Sequence, residues 1–250
     1  MRTIVNGIRS IVFNLSFYLF TIIFCTFFVL PTVLAKTDGP VRKGIGYYCK
    51  GSLFLARVLM GIRYEFRNAD QLPKTGGIIL AAAHQSYMDP FLAYQLRQDV
   101  TALAKKELFQ IPMIGPLLKK IGVVRVDRQA GRSSKGMEDV AKRVKEEGKV
   151  LIVYPQATRV PIGESRKLKP GAFFLQKFGD MDVYPVATST GVFWTKGFWH
   201  RPGTAVYAIG EPITNRPEKE AFMKHLQREV VDKSDDLVRE AGYAALLDRR

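Results

Sequence analysis

With 250 residues, 47% of them hydrophobic, the chain can bury one full core, which argues against a string of small modules. Its 38 basic against 23 acidic residues give a net charge of +15, which favours a phosphate-bearing partner: nucleic acid, an anionic membrane or a phosphorylated substrate. Two cysteines, Cys25 and Cys49, argue against a disulfide framework and suit a reducing compartment; with His84, His200 and His225 they offer no zinc-ligand spacing, so no metal is expected.

The first element is an uncharged run from Ser10 to Ala35, SIVFNLSFYLFTIIFCTFFVLPTVLA. Twenty helical residues of it would cover about 30 Å, the thickness of a bilayer core. A spanning helix, a monotopic helix or hairpin bent near Pro31, and a signal peptide cut after Ala35 all fit. The last is disfavoured by length, because such an apolar region usually runs roughly 7–15 residues. Arg2 and Arg9 precede the run and Lys36, Arg42 and Lys43 follow it. Flanking charge therefore sets no orientation, which suits a segment entering and leaving on the cytoplasmic side. Val41 to Ile62 mixes basic and apolar residues at helical spacing, as an interfacial helix or one packed on the core would. The expected division is a membrane-anchoring helical region over 1–60 and one domain over 61–250.

Beyond Gly61, short apolar runs rich in branched residues alternate with helical patterns, which predicts α/β architecture. Strands are expected at 63–66, 77–83, 100–104, 122–126, 150–154, 183–186 and 204–209. Met137, Val140, Ala141 and Val144 share one helical face, in a helix ended by Gly148. The tail from Thr214 reads as one or two amphipathic helices with Pro217 near the first turn and His225 on the surface. Gly191 to Gly203 interleaves Phe193, Trp194, Phe198 and Trp199 with Lys196, His200 and Arg201; a headgroup boundary or a core hairpin with basic tips would each use that mixture.

Chemistry concentrates where strands end. In IILAAAHQSYMDPFLA, His84 and Asp89 follow a buried strand, with Pro90 opening the next helix. The plain reading makes them caps. Lys105 and Lys106, then Arg128, then Arg159 each follow a further strand, so four cations could converge on one phosphate beside His84. Nucleotide fingerprints fail: GRSSKGM at Gly131 lacks the lysine and Ser/Thr of a P-loop, and no GxGxxG occurs. Recognisable RNA-binding and zinc-finger motifs are also missing, and a nucleic-acid partner would leave the apolar N-terminus idle.

Four segments in order, HQSYMD (84–89), GVVRVDR (122–128), YPQATR (154–159) and VYPVA (183–187), resemble the four motifs of the glycerolipid acyltransferase family. Within it they are similar to the bacterial 1-acylglycerol-3-phosphate acyltransferases, with AKKELFQIPMIG as a further typical segment, over roughly 77–212. The resemblance implies a single acyltransferase domain with a mixed sheet flanked by helices, anchored by the N-terminal helical segment. It implies acyl transfer from acyl-CoA or acyl carrier protein to a lysophospholipid acceptor at the cytoplasmic side of the inner membrane, without a cofactor. His84 is then the base and Asp89 its partner, Arg128, Arg159 and Lys105 grip the acceptor phosphate, Gln156 and Thr158 support the site, and Pro185 marks the fourth motif. Gln156 and Ala157 stand where the common pattern has glutamate and glycine; the first loses a charge and the second restricts φ. That departure leaves the acceptor open, lyso-ornithine lipid being the alternative. A lipid hydrolase using Ser86 as nucleophile is the rival chemistry.

Overall fold

The computed structural model describes the backbone of residues 2–111, 114–126 and 134–248. The uncharged run forms α1 (Arg2–Phe24), continued by a π-helical turn (Cys25–Val29) and a 3-10 turn (Leu30–Leu34) that Pro31 opens. The chain then reverses into α2 (Gly39–Leu55) and a π-helical turn (Ala56–Met60). Two contacts make the pair antiparallel: Arg9 Nε donates to the Leu59 carbonyl at 3.0 Å, and Thr21 Oγ1 meets the Tyr48 hydroxyl at 3.0 Å. Gly51 permits the approach, since a Cβ there would sit 2.5 Å from Phe20 Cζ. Ile4 to Leu34 is long and apolar enough to cross a membrane. Its inner face, Ser10, Phe13, Asn14 and Phe17, is buried against protein, while Ile4, Leu15, Ile22 and Phe27 are at least 65% exposed, a face that fits membrane association.

Seven strands follow: β1 (Ile62–Arg67), β2 (Ile78–Ala82), β3 (Val100–Lys105), β4 (Val124–Val126), β5 (Val150–Val153), β6 (Val183–Thr188) and β7 (Gly203–Ile209). They make one sheet in the order β1-β7-β6-β2-β5-β3-β4. Every pairing is parallel except β6 with β7, so the sheet is mixed. Each lies where an apolar run predicts it. β4 starts two residues late because Gly122 turns the chain at φ +75°. The helices between and after them are α3 (Met88–Leu96), α4 (Ile114–Lys120), α5 (Ser134–Glu146), α6 (Gly171–Gly179), α7 (Thr190–Phe193), α8 (Lys219–Leu226) and α9 (Lys233–Glu240). A π-helical stretch (Gln227–Asp232) joins the last two, and Pro217 lies just ahead of α8 rather than in its first turn. His225 is half-buried there rather than on the open surface.

Both sheet faces are covered, which is why the central strands read as continuous apolar runs. Along β2, Ile78, Leu80 and Ala82 join one core with Phe13, Phe17, Leu53, Leu92 and Trp194; Ile79 and Ala81 join the other with Leu175, Phe222 and Leu226. Residues of α1 and α2 therefore share the core of the sheet. Burying each such Leu, Ile or Phe contributes about 1.5–3 kcal/mol.

Two further expectations are refined. Arg42, counted above as a flanking charge, is 9% exposed and ties α2 to the sheet edge, donating to the carbonyls of Gln98, Val100 and Ile121 and to Asp38. The segment 191–203 is half core and half surface: Phe193, Trp194 and His200 are buried, Phe198 and Trp199 exposed. His200 fastens it to α1, its N–H donating to Ser10 Oγ at 3.0 Å and its Nε2 lying 3.1 Å from Asn14 Oδ1.

Candidate active site

The carboxyl ends of β2, β5, β3 and β4 lie side by side on one edge of the sheet, because these neighbours are all parallel. That edge is where an open α/β sheet offers a ligand crevice. β2 delivers His84 to it, and the backbone there is pinned on both sides. The His84 N–H donates to Gln156 Oε1 at 2.9 Å and its carbonyl accepts from the Val160 N–H at 2.7 Å.

Asp89, in the first turn of α3, is fully buried beneath the imidazole. Its Oδ2 accepts from the N–H groups of Gln85 at 2.7 Å and Ser86 at 2.8 Å and lies 3.0 Å from His84 Nδ1. Its Oδ1 accepts from the Thr190 hydroxyl. The helix N-terminus adds a favourable dipole. With a carboxylate oxygen as partner, Nδ1 is the protonated nitrogen, and Nε2 keeps its lone pair with no protein partner among the described residues. The five-residue spacing thus yields an imidazole held by a buried carboxylate; the capping reading captures only the helix start.

Tyr154 stacks on one face of the imidazole, ring centroids 3.9 Å apart at 19°. Its hydroxyl and that of Tyr207 are buried with no partner among the described residues. Burial, and secondarily neighbouring negative charge including Asp89, pushes both phenols well above their ordinary value. They stay neutral. Ser86, the candidate nucleophile of a hydrolase, is fully buried; its hydroxyl donates to the Trp194 carbonyl at 2.7 Å and accepts from the Met88 N–H at 3.1 Å. Both bonds commit the hydroxyl at the start of α3, which removes the observation that would favour a hydrolase.

On the cationic side, the Arg159 guanidinium lies over the Tyr87 ring, 3.8 Å from its centroid, and its buried Nη1 has no partner among the described residues. Lys105 closes β3, with only its backbone described, and Arg128 lies outside the described residues, as does Gly131. Thr158 is half-buried between Arg159 and Ala157. Pro185 is buried in β6 opposite Ala81 of β2, and its carbonyl accepts from the Gly210 N–H at 2.8 Å. Its missing N–H falls on the side where the β7 ladder lapses. The two departures from the common pattern are both accommodated. Gln156 supplies an acceptor oxygen to His84 without a charge, and Ala157 adopts the left-handed region at φ +59°, where a Cβ costs roughly 1–2 kcal/mol.

Thr190, Tyr154, Gln85 and Tyr87 were not singled out by sequence reasoning. Gln85 Oε1 accepts from the Gly191 N–H at 3.2 Å, an approach only glycine allows since a Cβ there would lie 2.8 Å from Gln85 Cβ. Thr190 and Gly191 close the site from the end of β6, shortly after the VYPVA motif, which is the one sequence signal that could have found them. Among the described residues no group of three or more His, Cys, Asp or Glu could hold a metal ion.

The chain is similar to known proteins in sequence and in fold. The family model described as Acyltransferase matches residues 63–189, slightly more than half of the chain. The chain is 28% identical over 212 residues to a 1-acyl-sn-glycerol-3-phosphate acyltransferase of Pseudomonas aeruginosa, covering 82% of this chain and 80% of that one. It is 29% identical over 176 residues to the protein so named in Bacillus subtilis, with 66% and 81% covered. The crystal structure of the 1-acyl-sn-glycerophosphate (LPA) acyltransferase, PlsC, from Thermotoga maritima shares the fold, with a TM-score of 0.73 over 93% of this chain and 97% of that chain at 22% identity. The matched stretch runs from β1 to the end of β6 and contains the whole His84, Asp89 and Arg159 edge, so the chain belongs to the acyltransferase family.

Proposed function

We propose that the protein transfers an acyl chain from a thioester, acyl-CoA or acyl carrier protein, to the 2-hydroxyl of 1-acyl-sn-glycerol 3-phosphate, giving phosphatidic acid. The observation that carries this is the His84–Asp89 pair, its Nδ1 engaged at 3.0 Å and its Nε2 uncommitted. A lipid hydroxyl is a poor nucleophile at neutral pH. His84 Nε2 takes its proton as the oxygen attacks the thioester carbonyl, and Asp89 stabilises the imidazolium that forms. When the tetrahedral intermediate collapses, the carbon–sulfur bond breaks and the leaving thiolate recovers that proton. The new ester remains on the lipid, so the protein carries no acyl intermediate.

Arg159, with an unused buried donor beside the His84 loop, grips the acceptor phosphate, assisted by Lys105 and Arg128. Gln156 and Thr158 hold the loop in place, and Pro185 fixes the neighbouring strand. No cofactor takes part. The relatives' names support the acceptor, and Gln156 gives no ground for a phosphate-free one, because its oxygen does for His84 what a glutamate oxygen would.

Residues 1–60 act as a monotopic anchor at the cytoplasmic face of the inner membrane, with 61–250 as the catalytic domain. α1 is held against the body at Phe13, Asn14 and Phe17, which favours lying along the bilayer surface over crossing it. The test is acyl transfer by detergent-purified protein with acyl-CoA and either lysophosphatidic acid or a lyso-ornithine lipid. Phosphatidic acid formed by the wild type and lost in His84→Ala is the expected result; activity on the phosphate-free acceptor alone would remove the phosphate roles.

A further inference from the structure

Beside the first turns of α1 lies an open cavity of about 710 Å³ that shares no residue with the catalytic edge. Its walls include Arg9 and Ser10 of α1, the stretch Trp199 to Pro202 before β7, and Tyr243 after α9. No acidic side chain lines it. Each arginine is fixed by a single bond to a backbone carbonyl, Arg9 Nε to Leu59 at 3.0 Å and Arg201 Nη1 to Val192 at 3.1 Å. Neither makes an ion pair among the described residues, so most of the five donors of each guanidinium are unspent. Arg57 and Arg63 line an adjoining hollow of about 320 Å³ and add to the positive field.

A second observation comes from His200, 4% exposed in the cavity wall. The Asn14 amide nitrogen donates to the Ser10 carbonyl at 2.8 Å and the Phe198 carbonyl at 2.9 Å, which fixes its oxygen as the group facing His200 Nε2. Nε2 therefore carries the proton and Nδ1 the lone pair. Nδ1 is buried and has no partner among the described residues. The wall thus offers cationic donors, with one unpartnered neutral acceptor buried in the His200 ring behind them. Phosphate esters match those donors, since phosphate takes the arginine forks.

The rim indicates where such an ester comes from. Ile4, Ile8, Phe198 and Trp199 are 48–69% exposed around or next to the lining residues. Apolar and aromatic side chains beside basic ones mark the boundary between acyl chains and headgroups.

We propose that this cavity binds the headgroup of an anionic membrane phospholipid, Arg9 and Arg201 holding its phosphate, at a site separate from the His84 crevice. One bound lipid would bridge the first turns of α1 and the segment entering β7, clamping the anchor to the domain. The site goes beyond the transfer reaction and stands whatever the acceptor is.

The test uses the full chain in neutral detergent micelles, with bound lipid counted by native mass spectrometry. Wild type is expected to retain phosphatidylglycerol over phosphatidylcholine, and Arg9→Gln with Arg201→Gln to weaken phosphatidylglycerol about tenfold or more while leaving phosphatidylcholine unchanged. Arg201→Gln alone preserves the Arg9–Leu59 bond and keeps the test open should the double variant fail to fold; about a threefold loss is expected. Equal retention of the two lipids by wild type, or unchanged phosphatidylglycerol binding in the variants, would overturn the proposal. So would competition by soluble glycerol 3-phosphate at the lipid's own affinity, which would mark the cavity as a site for free phosphate esters.

Discussion

His84 and His200 are held in the same manner by partners of different charge. Each imidazole has one nitrogen fixed by a side-chain oxygen, Asp89 Oδ2 for His84 and Asn14 Oδ1 for His200. The first partner is a carboxylate that also collects two backbone N–H groups and the Thr190 hydroxyl; the second is a neutral amide. His84 sits at an open strand end on the Tyr154 ring, whereas His200 is enclosed by Phe13 and Trp194, and burial lowers it to about pKa 4. On the proposed mechanism a charged partner prepares His84 to receive a proton during the reaction, whereas an apolar cage holds His200 neutral until the pH falls to about 4. Partner charge and burial separate them, not the residue type.

The widest gap between the two should appear on removing the base. His84→Ala is expected to lower the acyl-transfer rate about 10²–10⁴-fold with the far-ultraviolet spectrum unchanged, and Asp89→Asn to approach the same loss. Full activity in His84→Ala would dissolve the contrast. Next comes acid. The unfolded chain takes up the His200 proton near pH 6.5 and the folded chain only near 4, so the stability this residue supports is fully present above about pH 6.5 and is lost as pH falls toward 4. The difference amounts to about 3 kcal/mol. Denaturant melts at several pH values should show that slope, and His200→Asn should flatten it; an unchanged slope would mean that other groups carry the acid sensitivity.

A smaller effect sharpens the view of the catalytic edge. Arg159→Ala is expected to raise the KM for the acceptor about 10–100-fold with little change in the KM for the acyl donor, the loss of a charge-assisted contact of about 1.5–3 kcal/mol. An unchanged acceptor KM would place the phosphate elsewhere. The smallest change concerns the loop that holds His84 from behind. Ala157→Gly relieves the left-handed strain at φ +59° and should stabilise the fold by about 1 kcal/mol, read as a rise of about 2–4 °C in Tm.

Much of the scaffold was legible beforehand because strands buried on both faces write themselves as branched apolar runs; all seven were found this way. The pairing of His84 with Asp89 was legible too, being local and carried by a recognisable motif. What escaped was nonlocal. Gln156 reaches His84 across 72 positions, Thr190 reaches Asp89 across 101, and Asn14 meets His200 across 186. Such contacts follow from strand order, which periodicity does not encode. Arg42 failed for a related reason: counted as a flanking charge, it spends its guanidinium on three carbonyls that only the folded sheet edge brings together.

The 186-position gap between Asn14 and His200 also sets a timetable. A ribosome adding about 5–20 residues per second needs roughly 10–40 s to supply the second after the first. For most of that interval Phe13 and Phe17 have been made but Trp194, the ring they flank in the finished protein, has not. A helix with aromatic surface and no protein to cover it is left with the lipid bilayer as its nearest apolar medium. Translation order alone therefore leaves the apolar face of α1 without its sheet until the chain is nearly complete.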